Sequence, residues 1–212
     1  MPHPLDQKTQ AAQKAKADQQ RIFRNKEDDV ITYDLKNVNV LLVEDSRAMQ
    51  TLIASMLRSF GVGDVLVCEG GNEAIGILTI TQARKKGSDI KGIDIVLTDW
   101  LMPQGSGVEL LEWIRSHESD SIKFLPVLLL SAYTTQKVVS TARDFGANEA
   151  LVKPVSGGKL AGRILSIIDK PRPFVKSKAY FGPDRRRQDS AFKGDDRRKV
   201  AAETIKVNYE QL

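Results

Sequence analysis

Apolar residues gather along this chain in short, nearly unbroken runs. Between the runs lie longer stretches in which apolar positions recur every three or four residues. The first run, "VNVLLVED" (38–45), ends in two acids. "SRAMQTLIASMLRSFG" follows, with Met49, Leu52, Ile53, Met56, Leu57 and Phe60 at helical spacing, Ser46 placed as an N-cap and Gly61 as a stop. The alternation then repeats. "DVLVCEG", "IDIVLTD", "FLPVLLLSA" and "EALVKP" read as strands, and "NEAIGILTITQARKKG", "GVELLEWIRSH", "TTQKVVSTARDFG" and "GGKLAGRILSIID" as helices. Five strands alternating with five helices predict an α/β fold: a doubly wound five-stranded parallel sheet, covered on both faces. Continuous apolar runs, rather than strict alternation, fit strands buried on both sides. In such open sheets the site lies outside the carboxyl ends of the strands, where the strand order reverses.

Those ends carry the polar chemistry. The first strand ends in Glu44 and Asp45, the third in Asp99, the fourth near Ser131 and the fifth in Lys153 and Pro154. A carboxylate beside a core is costly unless paired, hydrogen-bonded or metal-bound. Three carboxylates together repel one another and invite a cation, and an all-oxygen site with few protein ligands suits Mg²⁺. Lys153 and Ser131 are then placed to hold a phosphoryl group, and an Asp carboxylate can itself accept one.

In this order, "VLLVEDS", "LTDWLMPQGSGVELL", "LLLSAY" and "LVKP" resemble the receiver domain of two-component response regulators, over about residues 37–169. The resemblance implies a flavodoxin-like (βα)5 fold and a signalling protein rather than an enzyme. It implies Asp99 as phosphoacceptor, with Glu44, Asp45, Asp99 and the backbone carbonyl of Leu101 as Mg²⁺ ligands. Ser131 would sense the phosphoryl group and Lys153 would hold it. Pro154 matches a cis-peptide position, and Gly107 matches a glycine that opens the third helix. The implied phosphate donor is a histidine kinase or a histidine phosphotransfer protein. Output would pass by protein–protein interaction or onward phosphotransfer, through the helix after the fourth strand, the fifth strand and the last helix. The sequence departs from the family at Ala150, where an aromatic ring is usual, and carries Leu101 and Tyr133 at positions that shape water access. Trp100 and Trp113 read as packing residues, and neither His3 nor His117 has a partner at catalytic or metal spacing.

An apolar content of 41% and a charged content of 28% fit a folded chain. The single Cys68 excludes an internal disulfide and a multi-cysteine metal site. The polar start and the shortness of "FLPVLLLSAY", which contains Pro126, favour a cytoplasmic protein. The net charge of +5 is uneven: residues 171–212 hold eleven Lys and Arg against six Asp and Glu. The expected division is an N-terminal extension (1–36), helical and docking through Leu5, Ile22 and Phe23 or else disordered; a receiver-like domain (37–170); and a flexible basic tail (171–212). In the tail, "GPDRRR" (182–187) recurs as "GDDRRK" (194–199), each preceded by an aromatic, Phe181 or Phe192. Three readings stay open for it: a solvated extension, a docking peptide for a partner or for the receiver itself, or an anion site for nucleic acid that the receiver gates. An unphosphorylated scaffold is a further alternative for the whole chain.

Overall fold

The strands stack as the hydrophobic pattern requires. In the computed structural model, which describes residues 33–82, 91–132, 136–178, 180–185, 203–205 and 207, five parallel strands form one sheet in the order β2-β1-β3-β4-β5. They are β1 (Val40–Val43), β2 (Val65–Cys68), β3 (Ile95–Asp99), β4 (Val127–Ser131) and β5 (Glu149–Val152). The helices are α1 (Arg47–Ser59), α2 (Gly71–Gln82), α3 (Gly107–Ser116), a single turn α4 (Asp120–Lys123), α5 (Gln136–Asp144) and α6 (Gly157–Asp169).

Side chains alternate across a strand, so each apolar run feeds two cores. Val40, Leu42, Ile95, Leu97, Leu128 and Leu130 face α1 and α6, meeting Ile53, Leu57, Leu160 and Ile164. Leu41, Val43, Val96, Val127 and Leu129 face the other way, onto Leu78, Leu110, Leu111 and Ile114 of α2 and α3. This double burial explains why the runs are continuous. Gly61 ends α1 with a φ of 79°, the left-handed conformation that favours glycine there. A capping box starts α3: the Ser106 hydroxyl accepts from the Glu109 amide, and the Glu109 carboxylate accepts from the Ser106 amide.

Three strands lie outside the expected five. β6 (Phe174–Lys176), β7 (Phe181–Pro183) and β8 (Glu203–Ile205) form an antiparallel sheet in the order β7-β6-β8. The expectation of a flexible tail is therefore corrected for residues 171–178 and 180–185. Phe174 is fully buried, and its ring packs edge-on against Phe124 at 4.9 Å, with Phe181 5.5 Å away. Arg115 lies beneath, its guanidinium 5.1 Å from the Phe174 ring centroid. That guanidinium donates to the carbonyls of Gly146, Lys123 and Leu125 and to the Asn148 side chain. The tail is also held electrostatically. Arg172 and Arg163 of α6 both pair with the buried carboxylate of Glu149, at 3.2 and 3.1 Å. Of the first Arg-rich unit, Arg185 pairs with Asp144 and lies over the Tyr180 ring. The second unit, residues 194–199, and Phe192 lie outside the described residues.

At the other end, Leu35 is buried and Tyr33 donates a hydrogen bond to Asp169. The domain body thus reaches a few residues before position 37. Leu5, Ile22 and Phe23 lie outside the described residues. No helix among the described residues is long and apolar enough to cross a membrane.

Candidate functional site

The sheet register places four of the polar residues in one row. Val43 pairs with Thr98, which sets Glu44 beside Asp99. Asp99 pairs with Leu130, so Ser131 lies one residue beyond it. Ser131 pairs with Val152, and its carbonyl accepts from the Lys153 amide at 2.7 Å. The order reverses at β1, with β2 on one side and β3 on the other, and the acids stand at that reversal.

Side chains converge there. Carboxylate oxygens of Glu44, Asp45 and Asp99 all lie within 4.8 Å of one another. The Lys153 ammonium lies 2.7 Å from Glu44 Oε2 and 2.8 Å from Asp99 Oδ2. The Lys153–Pro154 peptide is cis. Glu44 is only 1% exposed, and its burial pushes the carboxyl above its usual range; the bond to Lys153 opposes this and the Asp99 charge adds to it. Burial alone would lower the Lys153 ammonium. Its hydrogen bonds to Asp99 and Glu44, with their charges, outweigh that and raise it. Lys153 is therefore a fixed cation at neutral pH.

Several residues hold this arrangement in ways the sequence pattern did not reveal. The Gln50 side-chain amide donates to the Glu44 carbonyl at 2.6 Å, capping the backbone where β1 leaves the sheet. The Ser46 amide reaches Glu44 Oε1 at 3.4 Å. Asp99 Oδ1 accepts from the amide of Trp100 at 2.7 Å, which leaves Oδ2 toward Lys153. Gln50's position four residues after the predicted cap was a usable signal; the Trp100 amide carried none. Gly107 is needed sterically, since a β-carbon there would sit 1.9 Å from the Asp99 carbonyl oxygen.

The remaining positions have clear settings. Ser131 is buried at the end of β4. Leu101, in the loop after β3, is 54% exposed. Ala150 sits in β5 opposite Leu129 and packs on the core. Tyr133 lies outside the described residues.

Three carboxylates with one ammonium leave a site that is negative when ionised. Its donors are all oxygen, and it fits a hard divalent cation better than a soft one. Because the Asp99 side chain is 13% exposed, the site is reachable from solvent.

A parallel doubly wound sheet with clustered acids and a lysine at its carboxyl edge defines a class. The chain belongs to the response regulator receiver domain family, whose model matches residues 40–165. Among its relatives is chemotaxis protein CheY-3 of Vibrio cholerae, 31% identical over 135 residues, which span 64% of this chain and 95% of that protein. A CheY homolog of Campylobacter jejuni is 30% identical over 131 residues, spanning 62% and 92%. Among solved structures, the CheX–CheY–BeF3–Mg²⁺ complex of Borrelia burgdorferi aligns with a TM-score of 0.53 at 25% identity, over 62% of this chain and 89% of that one. A putative response regulator from Chloroflexus aurantiacus aligns with a TM-score of 0.53 at 26% identity, over 63% and 98%. These matches cover the receiver body; the tail sheet lies beyond the family match.

Proposed function

We propose that this chain receives phosphate in a two-component or phosphorelay pathway, with Asp99 as the acceptor and a histidine kinase or histidine phosphotransfer protein as donor. The observation that carries this is the placement of Asp99: its Oδ2 lies 2.8 Å from Lys153 Nζ, inside a three-carboxylate cluster at the sheet's switch point.

The chemistry follows from those positions. An Asp99 oxygen attacks phosphorus in line with the departing imidazole nitrogen; an O–P bond forms and the N–P bond breaks. Such transfers need positioning and charge neutralisation more than covalent assistance from the protein. Glu44, Asp45, Asp99 and the Leu101 backbone carbonyl would hold Mg²⁺, which supplies part of that neutralisation. The Lys153 ammonium supplies the rest, since it already faces the Asp99 oxygen. The Trp100 amide fixes one Asp99 oxygen and leaves the other for attack. Ser131 stands at the neighbouring strand end, where its hydroxyl would bond the new phosphoryl group. The CheY of the Borrelia complex is bound with CheX, BeF3 and Mg²⁺, and this supports a site of the same kind here.

Output runs through protein contacts at the α5, β5 and α6 surface. Ala150 carries no ring, so switching rests on Ser131. Arg172 and Arg185 of the tail are paired with Glu149 and Asp144, which favours docking on the receiver itself for this first part of the tail. A constitutive scaffold would keep its partners in an Asp99→Ala chain, whereas a phosphate-dependent receiver would lose them.

Beryllofluoride tests the reading. Trp100 fluorescence should change saturably when beryllofluoride and Mg²⁺ are both present, and Asp99→Asn should abolish the response. An equal response in Asp99→Asn would refute the assignment.

A further inference from the structure

Two glycines stand at the start of α2, although Ser, Asp and Asn are the stronger helix caps. Gly70 holds the cap position, since its carbonyl accepts the first helical bond from the Ala74 amide at 3.1 Å. Space forbids a side chain there. A β-carbon on Gly70 would lie 2.5 Å from the Gln104 carbonyl oxygen and 2.9 Å from Gln104 Cβ. One on Gly71 would lie 2.9 Å from the Gly105 carbonyl oxygen. The two backbones are joined where they meet. The first amides of a helix have no partner within it, and here the Gly71 amide donates to the Gly105 carbonyl at 3.0 Å and the Asn72 amide to the Gln104 carbonyl at 3.3 Å. The start of α2 is thus stitched to the tip of the loop between β3 and α3.

That loop carries the Leu101 carbonyl, one of the proposed cation ligands. Its base is closed by the Gly107 amide, which donates to the Trp100 carbonyl at 3.2 Å, while the Trp100 amide donates to the Leu130 carbonyl at 2.8 Å. Between base and tip, the Leu101 side chain is 54% exposed and grips little. Only Met102 and Pro103 separate Leu101 from Gln104. Met102 is buried in the core beneath α2 and α3, and the proline ring fixes its own φ. So little slack passes a shift at Gln104 back to Leu101. The same turn also reaches the acids: the Cys68 carbonyl, two residues before Gly70, accepts from the Glu44 amide at 3.1 Å.

We propose that Gly70 and Gly71 are positioning residues for the metal site. By letting α2 hold the tip of this loop, they set where the Leu101 carbonyl stands relative to Glu44, Asp45 and Asp99. Neither glycine is itself a ligand. The inference rests on the reading of those acids and the Leu101 carbonyl as Mg²⁺ ligands.

Calorimetric titration of the full chain with Mg²⁺ tests it. Gly70→Ala should weaken Mg²⁺ binding about 10–100-fold, the range for groups that orient metal ligands. Gly71→Ala has the longer approach and should weaken it less; it carries the test if Gly70→Ala does not fold. Gly63→Ala controls for lost stability. Its methyl group would meet the Lys36 carbonyl oxygen at 2.1 Å, at the amino edge of the sheet, so it should lower the melting temperature and keep the parent's Mg²⁺ affinity. Melting curves show which variants are folded at the titration temperature. Parental affinity in the folded Gly70 and Gly71 variants would overturn the proposal. So would an equal weakening in Gly63→Ala, which would assign the effect to stability. A parent that binds no Mg²⁺ would overturn the ligand assignment itself, and this inference with it.

Discussion

A side chain at position 107 collides with the strand that carries Asp99. Gly107→Ala sets a methyl group 1.9 Å from the Asp99 carbonyl oxygen and 2.8 Å from the Thr98 hydroxyl. Both neighbours belong to a buried strand and move little, so the substitution should cost about 1–3 kcal/mol in urea unfolding. It should also slow phosphoryl acceptance, because the displaced backbone carries Asp99, the proposed acceptor. Glu44 makes a prediction of opposite sign. Its folded carboxyl is held above the usual range, so the folded state binds protons more readily than the unfolded one, and stability falls as pH rises through that raised value. At neutral pH without metal, Glu44→Gln should therefore melt at or above the parent. The difference should vanish as the pH falls toward the ordinary Glu range of about 4. Saturating Mg²⁺ should reverse the order, since the variant lacks one of the proposed ligands. A parent that melts higher at neutral pH in EDTA would contradict the electrostatics described for Glu44.

Strands and helices of the main sheet were legible from pattern because both their faces are buried and their lengths suit the period. Four-residue runs such as "VLLV" leave no room for another reading once a helical period follows. The site was legible for a related reason. A parallel sheet brings all carboxyl ends to one edge, so Glu44, Asp45, Asp99, Ser131 and Lys153 could be grouped before any distance was known. The tail sheet was not legible. Its strands are three residues long, too short to show alternation, and they sit among arginines and lysines that dominate any charge count. What fixes them is a contact across fifty residues of sequence, Phe174 on Phe124, and a shared carboxylate, Glu149, between Arg163 and Arg172. A sequence window contains neither. Phe174→Ala should accordingly cost about 3–5 kcal/mol, the range for a fully buried aromatic, whereas a solvated tail would show no effect. Differential scanning calorimetry of the full chain decides between them. The capping box at Ser106 offers a smaller check: Ser106→Ala should cost about 0.5–2 kcal/mol.

As a molecule, the chain separates its chemistry from its reinforcement. The acids and lysine occupy the carboxyl edge of the sheet. The aromatic cluster of Phe124, Phe174 and Phe181 and the Arg115 network are built from elements at or near the other edge. Metal binding to the first edge should stabilise the whole fold by linkage, by about 2.7 kcal/mol at a hundredfold excess over Kd. EDTA should remove that gain, and Asp45→Asn should show little of it. Such a division lets β6 and β7 brace the domain without crowding the acidic edge. Intact mass spectrometry of the chain after incubation with acetyl phosphate and Mg²⁺ addresses the assignment itself. The parent should gain the mass of one phosphoryl group, the gain should disappear with EDTA, and Asp99→Asn should gain none. A phosphoryl group carried by Asp99→Asn under the same conditions would contradict Asp99 as the acceptor.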